Sequence, residues 1–382
     1  MKKLTNIVPI LFLAIIPTLL IWLPFFLRLD NIANVPLAKN GMATIVANYD
    51  GPLYLIVAKT LYNLPQIAQN YQFPLPLEYY AAHFPLFPLL IRLFSPVFGY
   101  PYSMLFLTVA SSFLALFFFH KLILKYVKPH DALWITLVFA LFPGRWLVVR
   151  SVGSPEPLFV AAIIASLYYF TEKKYLYAAF WGVVAQLTKS PAILLFIAYL
   201  GSIAAPQLNN IITGKFKKIN LKPLAIVAIP LSLLAVFYFF GLKTTFNDFL
   251  AYFHSGDNIH LLFPPFQIFN YSAPWVGTFW LEEVLFIYLF GAATVATFIK
   301  RKEYTLAWFT GIFFTSLLFV SHRDLLRYAL PLVPFTFVAF HKYLTMKEFK
   351  YIFALLIIPT YLFALAFISQ NVMPIANWGP FL

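Results

Sequence analysis

The chain has 382 residues, 62% hydrophobic and 10% charged, with a formal net charge of +14 and no cysteine. Its mean hydropathy of +0.82 and its recurring apolar runs of about 20 residues exclude an ordinary soluble domain. Strand-like alternation is absent, which leaves an all-α polytopic membrane protein rather than a closed barrel. The positive charge falls in short clusters between apolar runs, so it marks orientation in a membrane and not a nucleic-acid partner. Without cysteine there are no disulfides or thiolate metal sites, and the seven histidines show no ligand spacing, so neither a metal nor another cofactor is expected.

In chain order, Lys2 and Lys3 precede an apolar run from about Ile7 to Leu27. The run is too long for a signal peptide and lacks a small-residue cleavage site, so it reads as an uncleaved first span with a cytoplasmic N-terminus. Residues 28–100 form a first long outer loop carrying Asp50 and Glu78. Its last part, His83 to Gly99, is rich in proline, holds Arg92, and is expected to be an interfacial helix.

Further spans are expected over 102–124, 132–149, 158–170, 175–187 and 192–205. The KFKK cluster at 215–218 lies inside, and another span covers 224–242. A second long outer loop covers 243–278, followed by spans over 279–299, 305–320, 328–343 and 351–369. That makes one integral membrane domain over 1–382 with about 11 crossings and the C-terminus outside. Most basic residues then fall inside and most carboxylates outside.

The stretch NYDGPLY, Asn48 to Tyr54, sets one carboxylate, Asp50, just before a turn at Gly51 and a helix opened by Pro52. An Asp there is either an N-cap or a working acid. The outer face also carries Glu156, Asp324, Arg145, Arg150, Lys189, Arg323 and Arg327. Convergent opposite charges of this kind suggest a site.

NYDGPLYL resembles the WDGxWYL loop of the PIG-V type GPI mannosyltransferases and their prokaryotic relatives, members of the GT-C superfamily that use lipid-linked sugars. HFPLFPLLIRL, SPEPLF, WGVVAQLTKSPAILLF and RYALPLVPF follow in the order of that family's FFPLYPLLIRL, SESLF, GLARPNGILL and late arginine-proline elements. The sequence departs at Tyr49, where the family has tryptophan, at Leu53 with Tyr54 for its aromatic pair, and at Lys189 for its arginine. The resemblance implies a mannosyltransferase of a multi-pass membrane, a prokaryotic cell membrane rather than that of the ER. The implied partners are a polyprenyl or dolichyl phosphate sugar as donor and a glycan, lipid or protein acceptor.

The residue chemistry agrees with that expectation. Nucleotide sugars are cytoplasmic, so an outer site needs a sugar already carried across on a lipid phosphate. A phosphate leaves without being protonated, so inverting transfer needs one general base and cations for the departing charge, unlike the paired carboxylates of most glycosidases. Asp50 is the candidate base. Arg323 and Arg327, four apart and on one side if helical, are candidates for the donor phosphate together with Lys189. Glu156, His83, Glu78 and Tyr54 are candidates for sugar or acceptor. Each has a plain structural alternative: snorkelling for the arginines, a solvated turn for Lys189, helix opening for Glu156, and interfacial placement for His83. A transporter or lipid flippase would need charged or broken helices at mid-bilayer and an internal repeat. A noncatalytic membrane subunit would not need Asp50.

Overall fold

The computed structural model describes residues 7–71, 73, 75–212, 221–256, 260–270, 272 and 281–382. The KFKK cluster at 215–218, Asp257 and the start of the span expected at 279 lie outside them. Among the described residues the regular structure is helical, apart from one two-residue hairpin, β1 Asn31–Ile32 with β2 Val35–Pro36, and two isolated bridges.

Helix α1 (Ile7–Phe26) leads through the hairpin to α2 (Met42–Val46), α3 (Gly51–Thr60) and α4 (Leu64–Asn70), followed by α5 (Leu86–Phe98) and α6 (Tyr100–Ile123). Next come α7 (Pro129–Leu141), α8 (Gly144–Val149), α9 (Glu156–Thr171), α10 (Tyr175–Thr188), α11 (Ile193–Ile212) and α12 (Ala228–Lys243). The last third holds α13 (Glu282–Lys300), α14 (Tyr304–Leu317), α15 (Leu325–Ala329), α16 (Val333–Ala339), α17 (His341–Leu344) and α18 (Lys347–Gln370).

Among the described residues, six helical stretches are long and apolar enough to cross a bilayer: Ile7–Phe26, Tyr100–Ile123, Ser190–Gln207, Lys222–Lys243, Glu282–Lys300 and Lys347–Gln370. Shorter apolar helices lie over Leu86–Phe98, Pro129–Leu141, Glu156–Thr171, Tyr304–Leu317 and Leu325–Ala339. Phe12, Leu19 and Leu23 of α1 and Leu355 and Ile358 of α18 are exposed, as suits helices whose solvent is lipid.

Two expected spans are broken, both at proline. The run 132–149 divides into α7 and α8 because Pro143 offers no N–H and pushes Phe142 into an extended conformation (φ −133°, ψ 145°). The run 328–343 divides into α15, a 3₁₀ turn with Pro331, α16 with Pro334 at its start, and α17.

Helix α9 is the centre of the packing. Ala161, Ala162 and Ala165 are fully buried, and such small side chains let α6 and α10 approach its backbone closely. Its N-terminus is fixed to α6, where Thr108 Oγ1 donates to the Ser154 carbonyl at 3.2 Å. The core thereby determines where Glu156, the first residue of α9, stands.

Two arginines of the expected outer set are structural. Arg92 Nη1 donates to the carbonyls of Ala58 and Lys59 at 3.0 Å each, closing the C-terminus of α3. Arg150 is fully buried; its Nη2 donates to Leu13 O (2.9 Å) and Ala14 O (2.8 Å), and its Nη1 donates to Ala140 O. Pro17 in α1 has no N–H for the Leu13 carbonyl, and Arg150 supplies the missing donor.

Candidate functional site

The site begins with the backbone around Asp50. Gly51 has no room for a side chain: a Cβ there would lie 2.4 Å from the Val46 carbonyl oxygen and 3.4 Å from that of Gly153. Tyr49 holds φ +49°, a conformation uncommon for a residue with a side chain. The segment is clamped to the end of α18. Asn48 Nδ2 donates to Ile368 O (2.7 Å), Asn371 Nδ2 donates to Asn48 Oδ1 (3.1 Å), and Met373 N donates to Ala47 O (2.8 Å).

Asp50 takes the N-cap position of α3, yet its side chain makes no capping hydrogen bond. Its carboxylate turns instead to Arg327, whose Nη2 is 3.2 Å from Oδ2. Arg327 in turn reaches Glu156 Oε1 through Nε and Nη2, both at 2.7 Å, and lies over the Tyr49 ring at 4.2 Å. Lys189 Nζ meets the same Glu156 oxygen at 2.8 Å, while Ser154 Oγ donates to Oε2. Two carboxylates and two cations thus form one chain, drawn from α3, α9, α15 and the break after α10.

Exposure orders these four groups. The Glu156 side chain is 3% exposed, Arg327 15%, Lys189 29% and Asp50 32%. The open edge therefore presents a carboxylate and an ammonium, with the guanidinium just behind. Lys189 owes its place to the extended backbone (φ −151°, ψ 141°) between α10 and the 3₁₀ turn Ser190–Ala192.

A second ion pair adjoins the first. Arg145 Nε lies 2.8 Å from Asp324 Oδ1, and its guanidinium sits over the Phe367 ring at 3.7 Å. Tyr49 joins the two pairs, donating from its hydroxyl to Asp324 Oδ2 at 3.2 Å. Burial, with the Asp324 carboxylate beside it, raises the Tyr49 phenol well above its ordinary pKa, so it remains a donor.

The rim is aromatic. Tyr54 is buried and meets His83 edge-on at 4.7 Å; burial holds the His83 imidazole below its usual pKa. His322 lies 4.6 Å from His260 and 5.2 Å from Tyr328. Burial pushes the His322 imidazole down to about 4, helped by His260, Arg327 and Arg323. It is neutral near pH 7, and its Nδ1 accepts from the Asp324 N–H at 3.0 Å.

Of the residues expected from sequence, Asp50, Glu156, Lys189 and Arg327 come together, with Tyr54 and His83 beside them. Arg323 and Glu78 do not join them. Residues 321–324 are not helical and α15 starts at Leu325, so Arg323 does not share a face with Arg327 and is exposed instead. Glu78 is exposed in the first turn of the 3₁₀ helix Leu77–Ala82. Glu156, expected to contact sugar or acceptor, has its oxygens engaged in this structure by Arg327, Lys189 and Ser154. It positions the cations.

The sequence reading counted Arg145 and Asp324 among the outer charges and Tyr49 as a departure from the family's tryptophan, but gave none of the three an individual role. The available signal was Arg145 itself, a charge inside an otherwise apolar run right after Pro143 and Gly144, which demands a partner. Among the described residues no three His, Asp or Glu side chains gather as metal ligands. No protein-family model matches the chain, and no curated protein matches it.

Proposed function

We propose that this protein is a membrane glycosyltransferase of the GT-C kind, transferring a sugar, mannose by resemblance, from a polyprenyl phosphate donor to an acceptor hydroxyl with inversion. One observation carries the reading: Asp50 occupies a capping position without capping, and its carboxylate faces a guanidinium at the open edge of a buried ion-pair chain. A cap has no use for that arrangement. A single-displacement transferase needs it.

On this reading the acceptor hydroxyl gives its proton to Asp50 while its oxygen attacks the anomeric carbon. The bond from that carbon to the phosphate oxygen breaks, and the electron pair leaves with polyprenyl phosphate. The departing oxygen gains negative charge, which Arg327 and Lys189 stabilise in surroundings of low dielectric. Glu156 keeps both cations in place, and Tyr54 and His83 form the wall beside the sugar. Arg323 stands at the rim. On this reading the chain crosses the membrane about 11 times with this edge on the outer face, an orientation that the positive-inside pattern supports.

The test is to incubate the purified full-length protein with a panel of polyprenyl phosphate sugars and candidate acceptors. Release of polyprenyl phosphate with at least one donor is expected, together with an inverted glycosidic product. Movement of lipid across a bilayer without release from any donor would instead make the protein a transporter.

A further inference from the structure

A second polar feature lies at the other end of the bundle. On α6, Thr108 touches the site through Ser154, while Leu124, just past the helix's last residue, lines a shallow surface pocket of about 640 Å³. The rise between these two residues is about 24 Å at 1.5 Å per residue, comparable with a hydrocarbon core of about 30 Å. The pocket therefore opens at the opposite membrane interface.

Its lining includes Lys125, Lys128, His130, Asp131 and Lys342, drawn from the α6–α7 connection, the first turn of α7 and α17. Two of these charges are already matched. Lys125 Nζ pairs with Glu172 at 2.6 Å, and Asp131 lies 2.9 Å from His130 Nε2 and 4.0 Å from Lys350 Nζ. Lys128 and Lys342 form no ion pair among the described residues. The N-terminus of α7, 13 residues long with Lys128 as its N-cap, adds its partial positive charge at the same place. Leu124 and Val127 supply an apolar wall.

We propose that this pocket binds a phosphate group, that of an anionic phospholipid headgroup, between Lys128 and Lys342. A shallow pocket at the interface with an apolar wall suits a headgroup continuing into acyl chains better than a soluble anion. Lys128 and Lys342 are exposed and come from distant parts of the chain, yet they line the same shallow pocket, which orientation signalling alone does not require. The inference does not rest on glycosyl transfer.

The test is native mass spectrometry of the full chain in detergent, titrated with phosphatidylglycerol or phosphatidylcholine. The protein is expected to retain phosphatidylglycerol at about tenfold lower concentration than phosphatidylcholine, as one charge-assisted contact would give. Lys342→Gln and the pair Lys128→Gln with Lys342→Gln should lose that preference with the unfolding midpoint unchanged. Lys173→Gln with Lys174→Gln, at the same end but outside the pocket, should keep it. Unchanged retention in the pocket variants, or equal loss in the control pair, overturns the proposal. Displacement of the lipid by millimolar inorganic phosphate also overturns it, as the mark of a soluble-anion site.

Discussion

Asp50 illustrates how a residue's neighbours decide between two roles that its position alone leaves open. Asp at the first turn of a helix is commonly a cap, yet here the carboxylate bonds no helix N–H and points at Arg327. Asp50→Ala should therefore spare the ~1 kcal/mol that loss of a cap costs, and the Ala and Asn proteins should unfold at the same midpoint. A lower midpoint in the Ala protein alone would restore the capping role. Glu156 behaves differently, because its side chain is buried and holds two cations. Glu156→Gln should cost about 3–5 kcal/mol, as breaking a buried pair does, and thermal unfolding of the purified variant checks this. Gly51→Ala should also destabilise strongly, since the new Cβ would meet the Val46 backbone oxygen at 2.4 Å and backbone cannot swing aside as a side chain can. Asp50 was legible because the NYDG turn isolates one acid after an apolar run. The link between Tyr49, Asp324 and Arg145 was not, because it joins three segments far apart in the chain.

Elements carry the next set of consequences, and prolines account for most of them. Helix runs were legible from apolar length, whereas the breaks at Pro143 and in 328–343 show that an unbroken apolar run does not ensure an unbroken helix. Arg150 read as one more outer cation; its partners include the Leu13 carbonyl, which Pro17 leaves without an intrahelical donor, and the Ala140 carbonyl at the end of α7. Arg150→Met should therefore destabilise by about 1–3 kcal/mol for each buried carbonyl left unpaired. Pro17→Ala in the same chain should recover part of the loss, by giving Leu13 an intrahelical N–H. A double-mutant cycle of unfolding free energies measures that coupling, and strict additivity would contradict it. The loop 321–324 gives a pH dependence. The His322 pKa is about 4 folded against ~6.5 unfolded, so the unfolded state binds more protons between these values. Stability should fall as pH drops from about 6.5 to 4, and His322→Asn should flatten that part of the profile.

At the scale of the whole molecule, a bundle centred on the buried helix α9 holds two carboxylates and two cations at one end and two lysines without an ion pair among the described residues at the other. The membrane class was legible in composition, because lipid alone accommodates so much apolar surface. The meeting of α3, α9, α15 and the α10 break was not, since it depends on packing between distant helices. The measurement that tests the central claim most directly is the rate of polyprenyl phosphate release by Asp50→Asn beside the unchanged protein, with donor binding measured on both. The amide keeps the shape of the side chain but takes no proton. Release should fall about 100- to 10,000-fold while donor affinity stays within a few fold. Near-normal release by the Asn protein would contradict the account and remove Asp50 from the chemistry.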